Sequence, residues 1–512
     1  MMTRVKTAAL AGVRGVAVTV ETDIRRGMPA FNIVGLADIT IKEAYQRVRP
    51  AIFNSGYGFP CERITVNLVP AGSHKTGSHF DLPIAMGIIM AEEGDWKTED
   101  TVFLGELSLD GKINPIKGAL PLAISARENG AGNIVVPAAN AEEVSILEDV
   151  RVIPVENLSQ AVDYACGLLE GKVYKGRKAA AEIKRSIRED FSQVVGQESV
   201  KRALAAAAAG NHGILMIGGP GCGKTMMAKR MPGILPPLDY EERLEVTGIY
   251  SVAGLLSEER PWISDRPFRK PHHSASRAGI IGGGTRPVPG ELTLAHRGII
   301  FMDELGEFDE RVLDSMREPL EEGVVRIRRN TEEVTFPAEA MVVAAANPCR
   351  CGNLWNEKKI CTCTERQLAA YRRKLSGPFS DRIDIHVKVN PVSREEISGE
   401  NTSPPGMSSE EMRILVERAR RMQSKRYINY PKKYNGNLSY EEAAEFCVMD
   451  EGAGRLIGQA YHRLNLTARA YGKLVKVART LADMEESEVI RERHAAEAAM
   501  YRITEGTECY VR

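Results

Sequence analysis

The chain has no excess of charge of either sign: 68 lysines and arginines balance 68 aspartates and glutamates over 512 residues. No global field therefore draws it to nucleic acid or to a membrane surface, and any such affinity has to come from a local patch. No apolar run approaches the ~20 residues that a bilayer span needs. The opening stretch, Met1 to Val13, mimics a secretory leader, but Arg14 cuts it short and Val16, Val18 and Val20 alternate as a strand does. A disulfide framework is also missing, since the nine cysteines are odd in number and scattered along a long chain, which points to a reducing compartment. There is no internal repeat, and the one low-complexity tract, 203–209, suits a packed helix. The expectation is a soluble cytoplasmic protein of roughly two to four domains with no membrane partner.

What is present is concentrated first at Gly218-Gly219-Pro220-Gly221-Cys222-Gly223-Lys224-Thr225, which comes after an apolar run and precedes a helical pattern starting at Met226. Strand, phosphate-binding loop and helix in that order are what a nucleotide site requires. The glycines let successive backbone N–H groups cradle phosphates, Lys224 reaches the β- and γ-phosphates, and the Thr225 hydroxyl ligates Mg²⁺. The bland alternative is a structural glycine-rich turn. Residues 218–226 are the expected ATP- or GTP-binding residues, joined by Asp303 at the end of the apolar strand Gly298-Ile-Ile-Phe-Met-Asp303-Glu304. Asp303 would hold Mg²⁺ through water and Glu304 would orient and deprotonate the attacking water, a pairing suited to hydrolysis. A further buried strand, 340–346, ends at Asn347, which can read the γ-phosphate.

Around this site the chain divides into a mixed α/β region at 1–169, a charged linker at 170–189, the ATPase core at 190–390 and a helical remainder at 391–512. In the first region, strands are expected at 16–20, 31–34, 64–69, 102–109, 133–136 and 150–155, and helices at 42–53, 82–91, 120–129 and 158–168.

Asp190-Phe-Ser-Gln-Val-Val-Gly-Gln197, the Asp303-Glu304 pair and Asn347 together resemble an AAA+ ATPase. Arg266-Pro-Phe-Arg-Lys-Pro-His-His-Ser274, Pro289-Gly-Glu-Leu-Thr-Leu-Ala-His-Arg-Gly298 and Asp381-Arg-Ile-Asp-Ile-His-Val387 narrow the likeness to the magnesium-chelatase-like branch, specifically the YifB/ComM family. The resemblance implies an α/β fold with a parallel-sheet P-loop core and a helical C-terminal lid. It also implies a ring, expected to be a hexamer, in which Arg382 is an arginine finger serving a neighbouring subunit. Such a finger is worth about 10³–10⁵ in rate. Arg469, in Leu466-Thr-Ala-Arg-Ala470, would be a second sensor touching the γ-phosphate. Phe379-Ser380 stands where the family usually has leucines.

Asn67-Leu-Val-Pro-Ala-Gly72 and Gly105-Glu-Leu-Ser-Leu-Asp-Gly-Lys-Ile-Asn-Pro-Ile116 resemble the Lon protease domain, whose fold is related to ribosomal S5. Its Ser position falls on His79 and its Lys position on Leu120, so acyl transfer is not expected. Ser78 with Lys75 or Lys117 is the remaining pairing. A nucleic-acid platform and a purely oligomerising domain are both open readings of this region.

Two C-x-C pairs, Cys349/Cys351 and Cys361/Cys363, offer four thiolates to a tetrahedral Zn²⁺, although C-x-C is tighter than the usual ligand spacing. Free thiols are the alternative. Residues 323–329 and 334–336 read as a β-hairpin whose Arg326, Arg328 and Arg329 could grip DNA phosphates or, equally, pair with Glu332 and Glu333. Phe268, His272 and His273 lie in a basic, glycine-containing stretch that reads as a pore loop able to stack on bases. By the ComM likeness, the expected work is ATP-driven branch migration of DNA recombination intermediates. The rivals are a chelatase-type motor with a protein or tetrapyrrole client, a scaffold that uses ATP only to assemble, and an ATP-dependent protease.

Overall fold

The computed structural model describes residues 1–502 except 73, 95, 97, 169–173, 176–188, 285–286, 330–331, 357–358, 376–378, 393–405, 431–433 and 465. Most of the charged linker and much of the break after 390 lie outside the described residues.

The leader-like opening is a strand, Met2–Ala11, near the middle of an eight-stranded sheet. It folds back at Gly12 (φ 66°) and pairs antiparallel with Arg14–Arg25, from Met2↔Asp23 to Ala11↔Arg14. The sheet runs in the order Tyr174–Lys175, Arg151–Val155, Asn133–Pro137, Thr101–Phe103, Met2–Ala11, Arg14–Arg25, Arg63–Val69, Ala30–Val34. The expected strand 102–109 is broken: Thr101–Phe103 ends before Gly105, and Glu106–Leu107 instead pairs with Ile113–Asn114. A Cβ at Gly105 would come within 2.9 Å of the Ile113 side chain, so a larger residue there would force Ile113 to shift. The expected helix 42–53 is preceded by a separate turn, Ile39–Lys42, started by Asp38, whose carboxylate accepts from the Ile41 N–H at 2.9 Å.

Helix Asp81–Glu93, apolar on nearly every side, is buried on one face of the sheet. Helix Ala119–Glu128 covers the other face and continues onto helix Tyr240–Ala253, whose Leu244 joins the same core. A buried carboxylate locks this contact: Glu143 accepts from the Leu120 N–H at 3.0 Å, from Asn140 at 3.1 Å and from the Ser251 hydroxyl.

The second sheet has five parallel strands in the order Phe268–Arg269, Ile299–Met302, Met341–Ala346, Ile214–Gly218, Ile385–Val389. The inner strands are short runs of apolar residues buried on both faces, as a parallel sheet between helices demands. The mixed α/β class, the parallel sheet and the helical C-terminal region match expectation. Helix Glu198–Gly210 carries the alanine tract, and all of its alanines are buried. Those small side chains let Ser409–Arg426 and Ala468–Met484 of the C-terminal region pack into the same hydrophobic core as the sheet. Tyr440–Phe446, Glu451–Arg463 and Glu492–Met500 complete that region, and capping boxes at Ser408/Glu411 and Ser439/Glu442 set two of its helix starts. Among the described residues no helix is long and apolar enough to cross a membrane.

One charged network lies inside the C-terminal helices. Asp483, fully buried, accepts from Arg479 Nε at 3.1 Å, from Arg426 Nη1 at 2.8 Å and from Asn435 Nδ2 at 2.9 Å, while Arg479 is itself fully buried. Removing one partner of such a set leaves an uncompensated buried charge. Asp483→Ala is therefore expected to cost about 3–5 kcal/mol, read as a lowered urea midpoint by far-UV circular dichroism.

Candidate active site

The phosphate loop leaves strand Ile214–Gly218 through a glycine that cannot be replaced: a Cβ on Gly218 would lie 2.4 Å from the Val389 carbonyl oxygen of the neighbouring strand. Gly221 (φ 78°) and Gly223 (φ 84°) take the left-handed conformation that turns backbone N–H groups into the loop. Helix Lys224–Ile234 starts directly behind it, so its unpaired first-turn N–H groups face the same space. Cys222 is buried in the core beneath, and Met226 is partly exposed on the first helical turn.

Lys224 Nζ lies 2.6 Å from the Gly218 carbonyl, 2.8 Å from that of Gly219 and 3.2 Å from Asn347 Oδ1. Burial holds its pKa below the ordinary lysine value, a cost that a bound polyphosphate would offset. Thr225 Oγ1 donates to Asp303 Oδ2 at 3.0 Å. Thr225, Asp303, Lys224 and Asn347 thus meet at the carboxyl ends of three neighbouring parallel strands, where open α/β sheets take their ligands. A hydroxyl and a carboxylate oxygen at this separation are hard donors that fit Mg²⁺ bound together with substrate phosphates. Glu304, beside Asp303, is held in the left-handed conformation (φ 55°), uncommon outside glycine, and its carboxylate projects outward.

Two residues that sequence spacing does not assign to this site stand against its acids. Lys270 Nζ is 2.7 Å from Asp303 Oδ2, and His273 Nδ1 is 3.4 Å from Glu304 Oε2. The histidines, expected as base-stackers, stack on each other with centroids 4.1 Å apart. The reason is register: Phe268 pairs with Ile299 and Arg269 with Ile300, so the residues leaving the end of one strand lie beside those leaving the end of the other. Only knowledge of that pairing could have found them.

Arg382 and Arg469 are brought together, away from the phosphate loop. Arg382 Nη2 is 2.8 Å from Glu321 Oε1, and Arg469 Nη2 bonds the same oxygen. Both line a cleft of about 680 Å³ with Lys473, Lys476 and Tyr434, none of whose lining residues belongs to the phosphate loop. Arg469 is therefore not aimed at the phosphates of its own chain. Phe379 is buried in a core with Leu375 and Ile383.

In the first region, His79 is buried with Nε2 2.9 Å from the Ala8 carbonyl, and burial lowers its pKa to about 4. Leu120 is buried as well. Ser78 donates to Glu106, Lys75 donates to the Pro70 carbonyl, and Lys117 lies against Gly254. The serine hydroxyl is therefore engaged by a carboxylate and not by a lysine.

The hairpin forms as Val324–Arg329 and Glu332–Pro337, with its tip, 330–331, outside the described residues. Arg328 pairs across it with Glu333 at 2.7 Å, and Arg326 is held by Glu322. Arg329 closes the strand opposite Glu332. The turn of the first hairpin, at Gly12, packs on its Val334 and Thr335.

Cys349, Cys351, Cys361 and Cys363 converge after Asn347, each Sγ within 4.8 Å of the other three. Hydrogen bonds from the backbone N–H groups of Asn353 and Thr362 hold Cys351 down at about 5, whereas burial pushes Cys349 up to about 12.

Residues 190–397 match the family described as magnesium chelatase, subunit ChlI; residues 20–140 match subunit ChlI of Mg-chelatase, and 406–502 match the ChlI C-terminal family. The chain is 41% identical over 502 residues to the uncharacterized protein YifB of Escherichia coli K12, covering 97% of this chain and 96% of that one. It is 36% identical over 497 residues to the competence protein ComM of Haemophilus influenzae, covering 96% and 95%. To the magnesium-chelatase 67 kDa subunit of Heliobacterium mobile it is 26% identical over 225 residues, 38% of this chain and 30% of that one.

The Lys270 ammonium, 2.7 Å from Asp303 Oδ2, would compete with a divalent cation held there. Lys270→Met is expected to lower the Mg²⁺ concentration that half-saturates ATP hydrolysis by about two- to fivefold, the scale of a partly exposed ion pair. A Mg²⁺ titration at fixed ATP measures it, and an unchanged or raised requirement would contradict the competition.

Proposed function

Because the chain belongs to the magnesium-chelatase-like YifB/ComM family, we propose that it is an ATP-hydrolysing AAA+ motor that assembles into a ring, a hexamer, and moves branched DNA in recombination. The observation that carries the hydrolytic half is the meeting of Lys224, Thr225, Asp303 and Asn347 at one sheet end, with Glu304 next in line. In this reading the phosphate-loop N–H groups and Lys224 would bind the phosphates of ATP, and Thr225 and Asp303 would hold Mg²⁺, which would supply charge neutralisation for the transferred phosphoryl group. Glu304 accepts the proton of the attacking water, with His273 at its side to orient it, and Asn347 positions the γ-phosphate.

The ring is argued from what this cluster lacks. Arg382 and Arg469 share the carboxylate of Glu321 away from their own phosphate loop, so both are presented to the nucleotide of a neighbouring subunit. Glu321 neutralises them until a γ-phosphate takes its place. DNA as the client rests on the near-full-length likeness to a competence protein and on the hairpin on which Arg326 and Arg328 are exposed and Arg329 closes the strand. The protein works in the cytoplasm. A porphyrin-chelatase role has less behind it, because the Heliobacterium mobile magnesium-chelatase subunit aligns over 38% of this chain and the competence protein over 96%.

Dissociation of a labelled three- or four-strand DNA junction tests the reading. The wild type with ATP is expected to resolve it, and Glu304→Gln to lose junction processing while still binding nucleotide. ATP hydrolysis without DNA stimulation or junction movement would overturn the DNA client. For the paired arginines, Arg382→Ala is expected to lower turnover by about 10³-fold or more. Mixing it with inactive Lys224→Ala should restore part of the activity, because one protein supplies the arginine and the other the phosphate loop. A mixture as inactive as its components would overturn action across subunits.

A further inference from the structure

Residues 347–364 join strand Met341–Ala346 to helix Glu365–Leu375 and form no helix or strand among those described. A connection of that length without its own secondary structure is uncommon in a compact domain and needs something else to hold it. Trp355 packs against the neighbouring core, but Ile360 is 90% exposed. What it gathers inward is sulfur. Cys349 Sγ is 3.4 Å from Cys351 Sγ and 3.7 Å from Cys361 Sγ, and Cys351 and Cys361 are 3.6 Å apart. Four sulfurs at ~2.3 Å from one Zn²⁺ stand about 3.8 Å from each other at the corners of a tetrahedron. The observed edges are close to that figure and far from the ~2.05 Å of a disulfide.

The position of the knot gives it a consequence. Its first residue, Asn347, accepts from Lys224 of the phosphate loop. Gly352 (φ 80°), between the two cysteine pairs, lies so close to the loop that a Cβ there would be 2.8 Å from Pro220 Cδ. Its carbonyl oxygen would be 3.7 Å from a Cβ on Gly219. On the far side, helix Glu365–Leu375 sets the Tyr371 ring on Gly306, where a Cβ would meet it at 2.5 Å, just beyond Glu304. The segment and the helix that follows it thus touch the phosphate loop, contain Asn347 and reach the turn next to Glu304.

We propose that Cys349, Cys351, Cys361 and Cys363 bind one Zn²⁺ as a tetrathiolate, and that this knot braces the phosphate loop, so that nucleotide binding depends on the metal. Binding forms four Zn–S bonds and releases the remaining thiol protons to water, with no change in oxidation state. Four soft thiolates in a tetrahedron select zinc over the hard cation at Thr225 and Asp303. The metal is structural, because all four coordination positions are filled by protein and none is left for substrate.

The test uses the full-length chain, purified without chelator. Metal analysis should find about one zinc per chain, and Co²⁺ exchanged into the site should show thiolate-to-cobalt charge-transfer absorption with the intense visible bands of a tetrahedral ion. Cys361→Ser should lose the metal and bind a fluorescent ATP analogue about ten- to a hundredfold more weakly. Cys361→His, which keeps a ligand, should retain both. Should Cys361→Ser fail to fold, wild type stripped by chelator and reloaded with zinc must show the same loss and recovery. A metal-free wild type without cobalt–thiolate absorption, an iron chromophore, or two disulfides by mass would overturn the zinc site. Wild-type nucleotide affinity in folded, zinc-free protein would overturn the brace. Neither result bears on whether DNA is the client, which the junction assay reads separately.

Discussion

The parallel pairing of Ile214–Gly218 between Met341–Ala346 and Ile385–Val389 is the constraint on which the active site depends. Its inner strands are apolar and buried on both faces, so a slip would misfit the packed side chains and draw the polar residues beyond the strand ends into the core. With the register held, the first polar residue after each strand arrives at one edge: the phosphate loop after Gly218, Asp303 after Met302 and Asn347 after Ala346. The approach of Gly218 to the Val389 carbonyl shows how tight the tolerance is. The site is a by-product of hydrophobic packing that the polar residues then use.

Lys224, Lys270 and His273 at that edge are engaged in this state: Lys224 rests on the loop's own carbonyls, Lys270 on Asp303 and His273 against Glu304. Away from it, Arg382 and Arg469 share Glu321. Each is a pairing that a nucleotide, a metal ion or a neighbouring subunit would replace with another of the same sign. That is how a hydrolytic site can be assembled in advance while its charges stay compensated.

The N-terminal sheet is joined to this machinery through two contacts of different character. Helix Ala119–Glu128 meets Tyr240–Ala253 across a buried, fully hydrogen-bonded carboxylate, Glu143, and the Gly12 turn packs on the arginine hairpin. A rearrangement at the hairpin therefore reaches the first domain through direct packing. In that domain His79 is buried and held neutral, and Leu120 is buried in the core.

Read alone, the sequence determined whatever is encoded locally. The phosphate loop, the two acids, the sensor asparagine, the alternating strands and the four cysteines each announce themselves through residue type and spacing within a few positions. It fell short where local signals compete: the opening strand Met2–Ala11 was not among the expected strands, and the run 102–109 was interrupted at Gly105, around which Leu82 and Ile113 pack. Tertiary structure alone decided which distant residues meet. Lys270 and His273 reach the acids because two parallel strands pair in one register, and Arg382 and Arg469 share Glu321 because the C-terminal helices pack on the alanine face of Glu198–Gly210. Such contacts join residues separated by tens to hundreds of positions, and nothing in the spacing along the chain records them. They are set by burial, which is a property of the packed molecule and not of any one segment.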